Sequence, residues 1–158
     1  MAYDLEQLNI LLIKDDASMR ALIRDMLYAF GISNTQTAQE GSKAYAELRH
    51  FPADIVLTDW VMEPLDGFDF TRMVRTAPDS PNPFVPIIML TAHSSMERVI
   101  QARDSGVNEF LAKPVTAKGL YSRIATVIES PRKFVRASEY FGPDRRRFGQ
   151  GIHCNGQA

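Results

Sequence analysis

Apolar positions along the chain fall into two alternating patterns: short unbroken runs, and longer stretches in which apolar residues recur every three or four positions. Ile10-Leu11-Leu12-Ile13 is the first short run, closed by Lys14-Asp15-Asp16. Such a run predicts a strand buried on both faces, as in a parallel sheet. Met19, Leu22, Ile23, Met26, Leu27 and Phe30 then recur at helical spacing, with Asp16 placed to cap the helix and Gly31 to stop it. Residues 35–38 predict a weaker second strand, and Ala44, Tyr45 and Leu48 mark a second helix. Residues 54–58 predict a third strand with Asp59 at its carboxyl end, and Phe70, Met73 and Val74 mark a helix after Gly67. Pro78, Pro81, Pro83 and Pro86 predict a loop. A fourth strand follows at Val85 and residues 87–90, ending at Thr91, and Met96, Val99 and Ile100 predict a fourth helix stopped near Gly106. Val107 and residues 110–112 predict a fifth strand before Lys113-Pro114, and Leu120, Ile124, Val127 and Ile128 a fifth helix stopped by Ser130-Pro131.

Strand and helix alternate five times. The expected fold class is α/β: a doubly wound five-stranded parallel sheet flanked by five helices. In such sheets, sites form beyond the carboxyl ends of the strands. Asp15 and Asp16 follow the first strand, Asp59 ends the third, Thr91 ends the fourth and Lys113 follows the fifth, so all are expected at one sheet edge. Three carboxylates at one point repel one another, and a divalent cation resolves the conflict. An oxygen-only ligand set suits magnesium, which takes a few carboxylates and keeps waters. Ligand positions left to water admit a phosphoryl group, with Lys113 as a mobile positive charge and Thr91 as a hydroxyl donor. Phosphoryl transfer needs mostly positioning and charge neutralisation, and Asp59 would be the nucleophile that becomes an aspartyl phosphate. Each residue alone has a plainer reading: Asp16 as a helix cap, Asp59 as a turn residue, Thr91 as a strand residue, Lys113 as an exposed lysine at a bend. Their joint placement is the argument for chemistry.

The segments Ile13-Lys14-Asp15-Asp16, Leu57-Thr58-Asp59-Trp60-Val61-Met62, Pro64-Leu65-Asp66-Gly67, Thr91-Ala92 and Lys113-Pro114 occur in this order. On these segments the chain resembles the receiver domain of bacterial two-component response regulators, of the stand-alone type. The resemblance implies a flavodoxin-like receiver fold and phosphoryl acceptance on Asp59 from a sensor histidine kinase or phosphotransfer protein. It implies magnesium held by Asp15, Asp16, Asp59 and the backbone carbonyl of Val61. It also implies that Thr91 moves to the phosphate on activation, that Phe110 holds the aromatic switch position, and that Lys113 pairs with the phosphoryl group. Such a protein is a phosphoacceptor with only self-phosphorylation and autodephosphorylation chemistry, not an enzyme, and signals through phosphorylation-dependent contacts. A magnesium-dependent phosphatase of aspartyl-nucleophile type would need a second acid two residues after the nucleophile, where Val61 stands. Four departures from the family pattern stand out. Glu63 separates Met62 from Pro64; Lys14 either pairs with a site carboxylate or points to solvent; Phe110 lacks a tyrosine hydroxyl; and Val61, unlike His93 across the site, cannot orient an attacking water.

Composition leaves that reading in place. With 158 residues, 45% hydrophobic and 23% charged, the chain suits one globular domain with an appendage. A net charge of −1 advertises neither nucleic acid nor membrane as partner. The single cysteine, Cys154, makes no disulfide framework, no apolar stretch would span a bilayer, and the N-terminus is not a signal peptide, so a cytoplasmic protein is expected.

Charge changes the picture only near the C-terminus. Between Pro131 and Arg147, Arg132, Lys133, Arg136, Arg145, Arg146 and Arg147 face only Glu139 and Asp144, a segment of +4 against −5 for the rest. Residues 5–129 are thus expected to form the receiver and 130–158 a basic, aromatic C-terminal extension. A disordered linker would not carry Phe134, Tyr140, Phe141 and Phe148. These rings are expected either to fold back on the receiver or to reach a second copy. A two-fold homodimer through Phe134, Tyr140, Phe141, Arg145, Arg146 and Arg147 is the favoured outcome. The alternative is a nucleic-acid-associated or scaffold module working through the same arm, although three arginines without a fold to aim them do not make a specific reader.

Overall fold

A strand buried on both faces sends successive side chains into two different cores, and the first strand does this. The computed structural model describes residues 5–62, 65–92, 100, 104–129, 134–137 and 140–143. Strand β1 spans Asn9–Ile13. Leu11 and Ile13 join Val56, Ile87, Met89, Phe70 and Val74 on one face, whereas Ile10 and Leu12 join Leu57, Leu90, Ile23, Leu27 and Ile124 on the other. The remaining strands of the sheet are β2 (Asn34–Ala38), β3 (Ile55–Asp59), β4 (Ile87–Thr91) and β5 (Glu109–Ala112). All neighbours pair parallel in the order β2-β1-β3-β4-β5. β3 and β4 are buried along their whole length, while β2 is a polar edge with Asn34 and Gln36 exposed.

The helices are α1 (Ala17–Ala29), α2 (Gly41–Glu47), α3 (Gly67–Thr76) and α4 (Ala117–Glu129). Helix α1 starts where Asp16 accepts from the amides of Ser18 and Met19, and ends at Gly31, whose φ of 97° places it in the left-handed region. Helix α3 starts at Asp66, which accepts from Asp69 N at 2.8 Å. Asp16 and Gly31 are the positions the sequence marks. The five-stranded, doubly wound parallel sheet is as expected, and strand boundaries differ from the reading by a residue or two. Most of the predicted fourth helix, with Met96 and Val99, lies outside the described residues; Ile100, Asp104 and Ser105 are helical. Four complete helices are therefore described where five were expected.

The C-terminal segment supplies a second, smaller sheet. Strands β6 (Phe134–Ala137) and β7 (Tyr140–Pro143) pair antiparallel, Phe134 opposite Pro143. Phe134 and Phe141 both meet Phe84 edge-on, with centroids 5.3 and 5.4 Å away, and Arg75 lies 4.9 Å from the Phe134 centroid. Tyr140 donates its hydroxyl to Pro143 O at 2.8 Å, and Arg136 stacks on Phe141. Of the two expectations for the arm, the fold-back onto its own receiver is what the hairpin displays. Phe134 and Phe141 pack on Phe84 of the same chain. Arg145, Arg146, Arg147 and Phe148 lie outside the described residues.

Candidate functional site

Strand order changes direction between β1 and β3, because β2 lies beyond β1 while β4 and β5 lie beyond β3. A doubly wound sheet opens its crevice at that switch point, outside the carboxyl ends. Ile13 pairs with Thr58, so the residues that follow, Lys14 and Asp59, stand side by side there.

Asp59 is the last residue of β3 and only 2% exposed. Three donors hold its carboxylate. Lys113 Nζ lies 2.7 Å from Oδ1, the Trp60 amide donates to the same oxygen at 3.1 Å, and Lys14 Nζ lies 2.7 Å from Oδ2. Lys14 also reaches toward Asp15 Oδ1 at 3.7 Å. Burial alone would lower the Lys14 pKa, but the hydrogen bond to Asp59 and the charges of Asp59 and Asp15 outweigh it and hold the ammonium above its ordinary value. The Lys14 backbone is fixed on both sides, its amide donating to Ala38 O at 3.1 Å and its carbonyl accepting from Arg20 Nη1 at 2.7 Å.

The other expected residues take distinct places. Asp15 stands beside Lys14 with its side chain 56% exposed. Asp16 commits Oδ1 to the first turn of α1. Thr91 is buried at the end of β4, and its carbonyl accepts from the Lys113 amide at 2.8 Å, which ties the two strand ends together. The Lys113-Pro114 peptide is cis. Phe110 on β5 is partly buried against the core under α2 and α3, and Val61 is 63% exposed at the mouth of the site. Glu63, Pro64 and His93 lie outside the described residues.

The loop after β3 is tied back by Gly67, whose amide donates to Trp60 O at 2.8 Å. A β-carbon at Gly67 would run into the carbonyl oxygen of Asp59, so only glycine fits this close approach. Asp15, Asp16, Asp59 and the Val61 carbonyl are all hard oxygen donors and fit magnesium in kind. Their arrangement is looser, because among the described residues no three carboxylates converge as a metal-holding group. The group standing between Asp15 and Asp59 is the Lys14 ammonium.

Sequence reasoning left open whether Lys14 joins the site. The signal that decides it is register: a lysine directly after the strand beside the acceptor strand must end next to the acceptor.

Comparison with known proteins agrees with the geometry. Residues 10–125 match the response regulator receiver domain family. A chemotaxis protein CheY of Pseudomonas aeruginosa is 34% identical over 122 residues, covering 77% of this chain and 97% of that protein. The crystallised chemotaxis protein CheY4 of Vibrio cholerae superposes with a TM-score of 0.69 at 28% identity, covering 76% of this chain and 98% of that one. The receiver domain of sensor histidine kinase PA1611 from Pseudomonas aeruginosa PAO1, solved with a magnesium ion coordinated in its active-site cleft, superposes with a TM-score of 0.65 at 30% identity, covering 75% and 94%. The sheet, the lysine-held aspartate at its carboxyl edge and these matches together place the chain in the response regulator receiver domain family.

Proposed function

We propose that the chain accepts a phosphoryl group on Asp59 from the phosphohistidine of a sensor histidine kinase or phosphotransfer protein, in a magnesium-dependent reaction, and signals through contacts that change on phosphorylation. The observation that carries this reading is the buried Asp59 carboxylate held 2.7 Å from Lys113 at the switch point of the sheet. An Asp59 carboxylate oxygen attacks phosphorus and forms the new O–P bond. The P–N bond breaks with its electron pair returning to the protonated phosphoimidazole ring, which leaves as neutral imidazole. Lys113 keeps a positive charge where the phosphoryl oxygens arrive, and Thr91, at the adjacent strand end, would donate its hydroxyl. Magnesium, when held by Asp15, Asp16, Asp59 and the Val61 carbonyl, would supply further charge neutralisation. Phe110, on the neighbouring strand two residues before the register partner of Thr91, is the proposed switch residue.

The test is titration with beryllofluoride or acetyl phosphate in the presence of magnesium. The wild type is expected to respond and Asp59→Asn to give no response. A wild type without any magnesium-dependent response would refute the reading.

Val61 adds a prediction about signal lifetime. Its exposed aliphatic side chain offers no hydrogen bond to an attacking water. Val61→Asn is expected to speed autodephosphorylation about threefold or more, an effect worth about 0.7 kcal/mol or more of barrier. Phosphate-release kinetics unchanged by the substitution would remove the idea.

A further inference from the structure

Asp59 offers a cation one oxygen. Its Oδ1 already receives Lys113 and the Trp60 amide, so Oδ2 is the one left for a metal, and Oδ2 is where Lys14 is bound at 2.7 Å. The same ammonium lies 3.7 Å from Asp15 Oδ1. It therefore sits between two of the carboxylates that would hold a divalent ion. Its backbone cannot swing away, being pinned by Ala38 O and Arg20, so the head group can leave only by rotation of the side chain.

We propose that Lys14 is a built-in rival of the divalent cation at the acceptor: it occupies the metal's place between Asp59 and Asp15 in the resting site, and magnesium must displace it to bind. This rests on the reading of Asp59 and Asp15 as magnesium ligands. Two consequences follow from charge alone. The resting acceptor is neutralised by protein groups, so its buried carboxylate is stable without metal. And the free energy of metal binding is reduced by the contacts that Lys14 gives up, together with the repulsion between its ammonium and a nearby divalent ion. Asp15 is exposed enough to turn toward an incoming ion once the lysine has moved.

Trp60 makes this measurable without phosphorylation. It is the only tryptophan, it is buried, and it directly follows the acceptor. Magnesium is titrated into the full chain and followed by tryptophan fluorescence, with calorimetry in parallel. Lys14→Met is expected to bind magnesium at least about tenfold more tightly than wild type. Lys14→Arg, which keeps the charge, is expected to stay as weak as wild type. Lys14→Gln carries the same test should the methionine variant fail to fold. If the uncharged variants bind no more tightly while all forms bind, the rival role is overturned and phosphoryl acceptance stands. If Lys14→Arg tightens binding as much as Lys14→Met, packing and not charge was responsible, and the proposal also falls. If no form binds magnesium, both this proposal and the magnesium site are overturned.

Discussion

Replacing Arg75 by methionine is expected to destabilise the chain by about 3–5 kcal/mol. Arg75 is a buried cation on α3 that pairs with no acid among the described residues. Its guanidinium instead donates to neutral acceptors: Nε to Gly106 O at 2.9 Å, Nη1 to Pro83 O at 2.9 Å and Val85 O at 2.7 Å, and Nη2 to Asn108 Oδ1 at 3.0 Å. Burial pushes its pKa down to about 9, so it is still charged near neutral pH. One side chain thus joins α3, the turn at Gly106, the loop before β4 and the start of β5. Methionine would fill much of the volume but strand those carbonyls away from water, and it would remove the cation from the face of Phe134. Lysine would fare little better, since its single ammonium cannot reach acceptors spread over three segments. Urea unfolding of the wild type and Arg75→Met measures the loss. A difference below about 1 kcal/mol would mean that water or relaxation satisfies the carbonyls and that the hub is dispensable.

Gly67→Ala is expected to strike the acceptor itself. The added methyl group would meet the carbonyl oxygen of Asp59 and lie 3.1 Å from Trp60 Cα, both backbone atoms that cannot turn aside. Either the Gly67–Trp60 hydrogen bond breaks or the end of β3 shifts, and with it the carboxylate that Lys14 and Lys113 hold. The expected cost is about 2–4 kcal/mol. Phosphoryl acceptance should fall at least about tenfold, because small misplacement at a reacting centre is expensive. Thermal unfolding and beryllofluoride binding test the two parts separately. Wild-type behaviour in both would show that the loop yields without cost.

The sheet was legible because buried strands carry unbroken apolar runs and because Asp16, Gly31 and Gly106 mark helix ends by their chemistry. The edge residues Asp59, Thr91 and Lys113 could be placed from topology alone, since a parallel sheet gathers strand ends whatever their separation. Lys14 was harder, because a lysine's destination depends on which neighbour its strand pairs with. Arg75 left no trace, since its partners are backbone carbonyls, which every sequence has. The arm was legible in kind but not in destination: Phe134 and Phe141 announced a need for a surface, and only the fold reveals that Phe84 supplies it.

Strand β2 has a consequence for how copies of the protein meet. It pairs with β1 on one side and with no strand on the other among the described residues. Open backbone groups of that kind can template a strand from a neighbouring molecule, the first step toward edge-to-edge fibres. Here the edge is five residues long and shows Asn34 and Gln36 to solvent. A strand added there would gain hydrogen bonds but cover little apolar surface, so growth by strand addition along this side of the sheet has a weak drive.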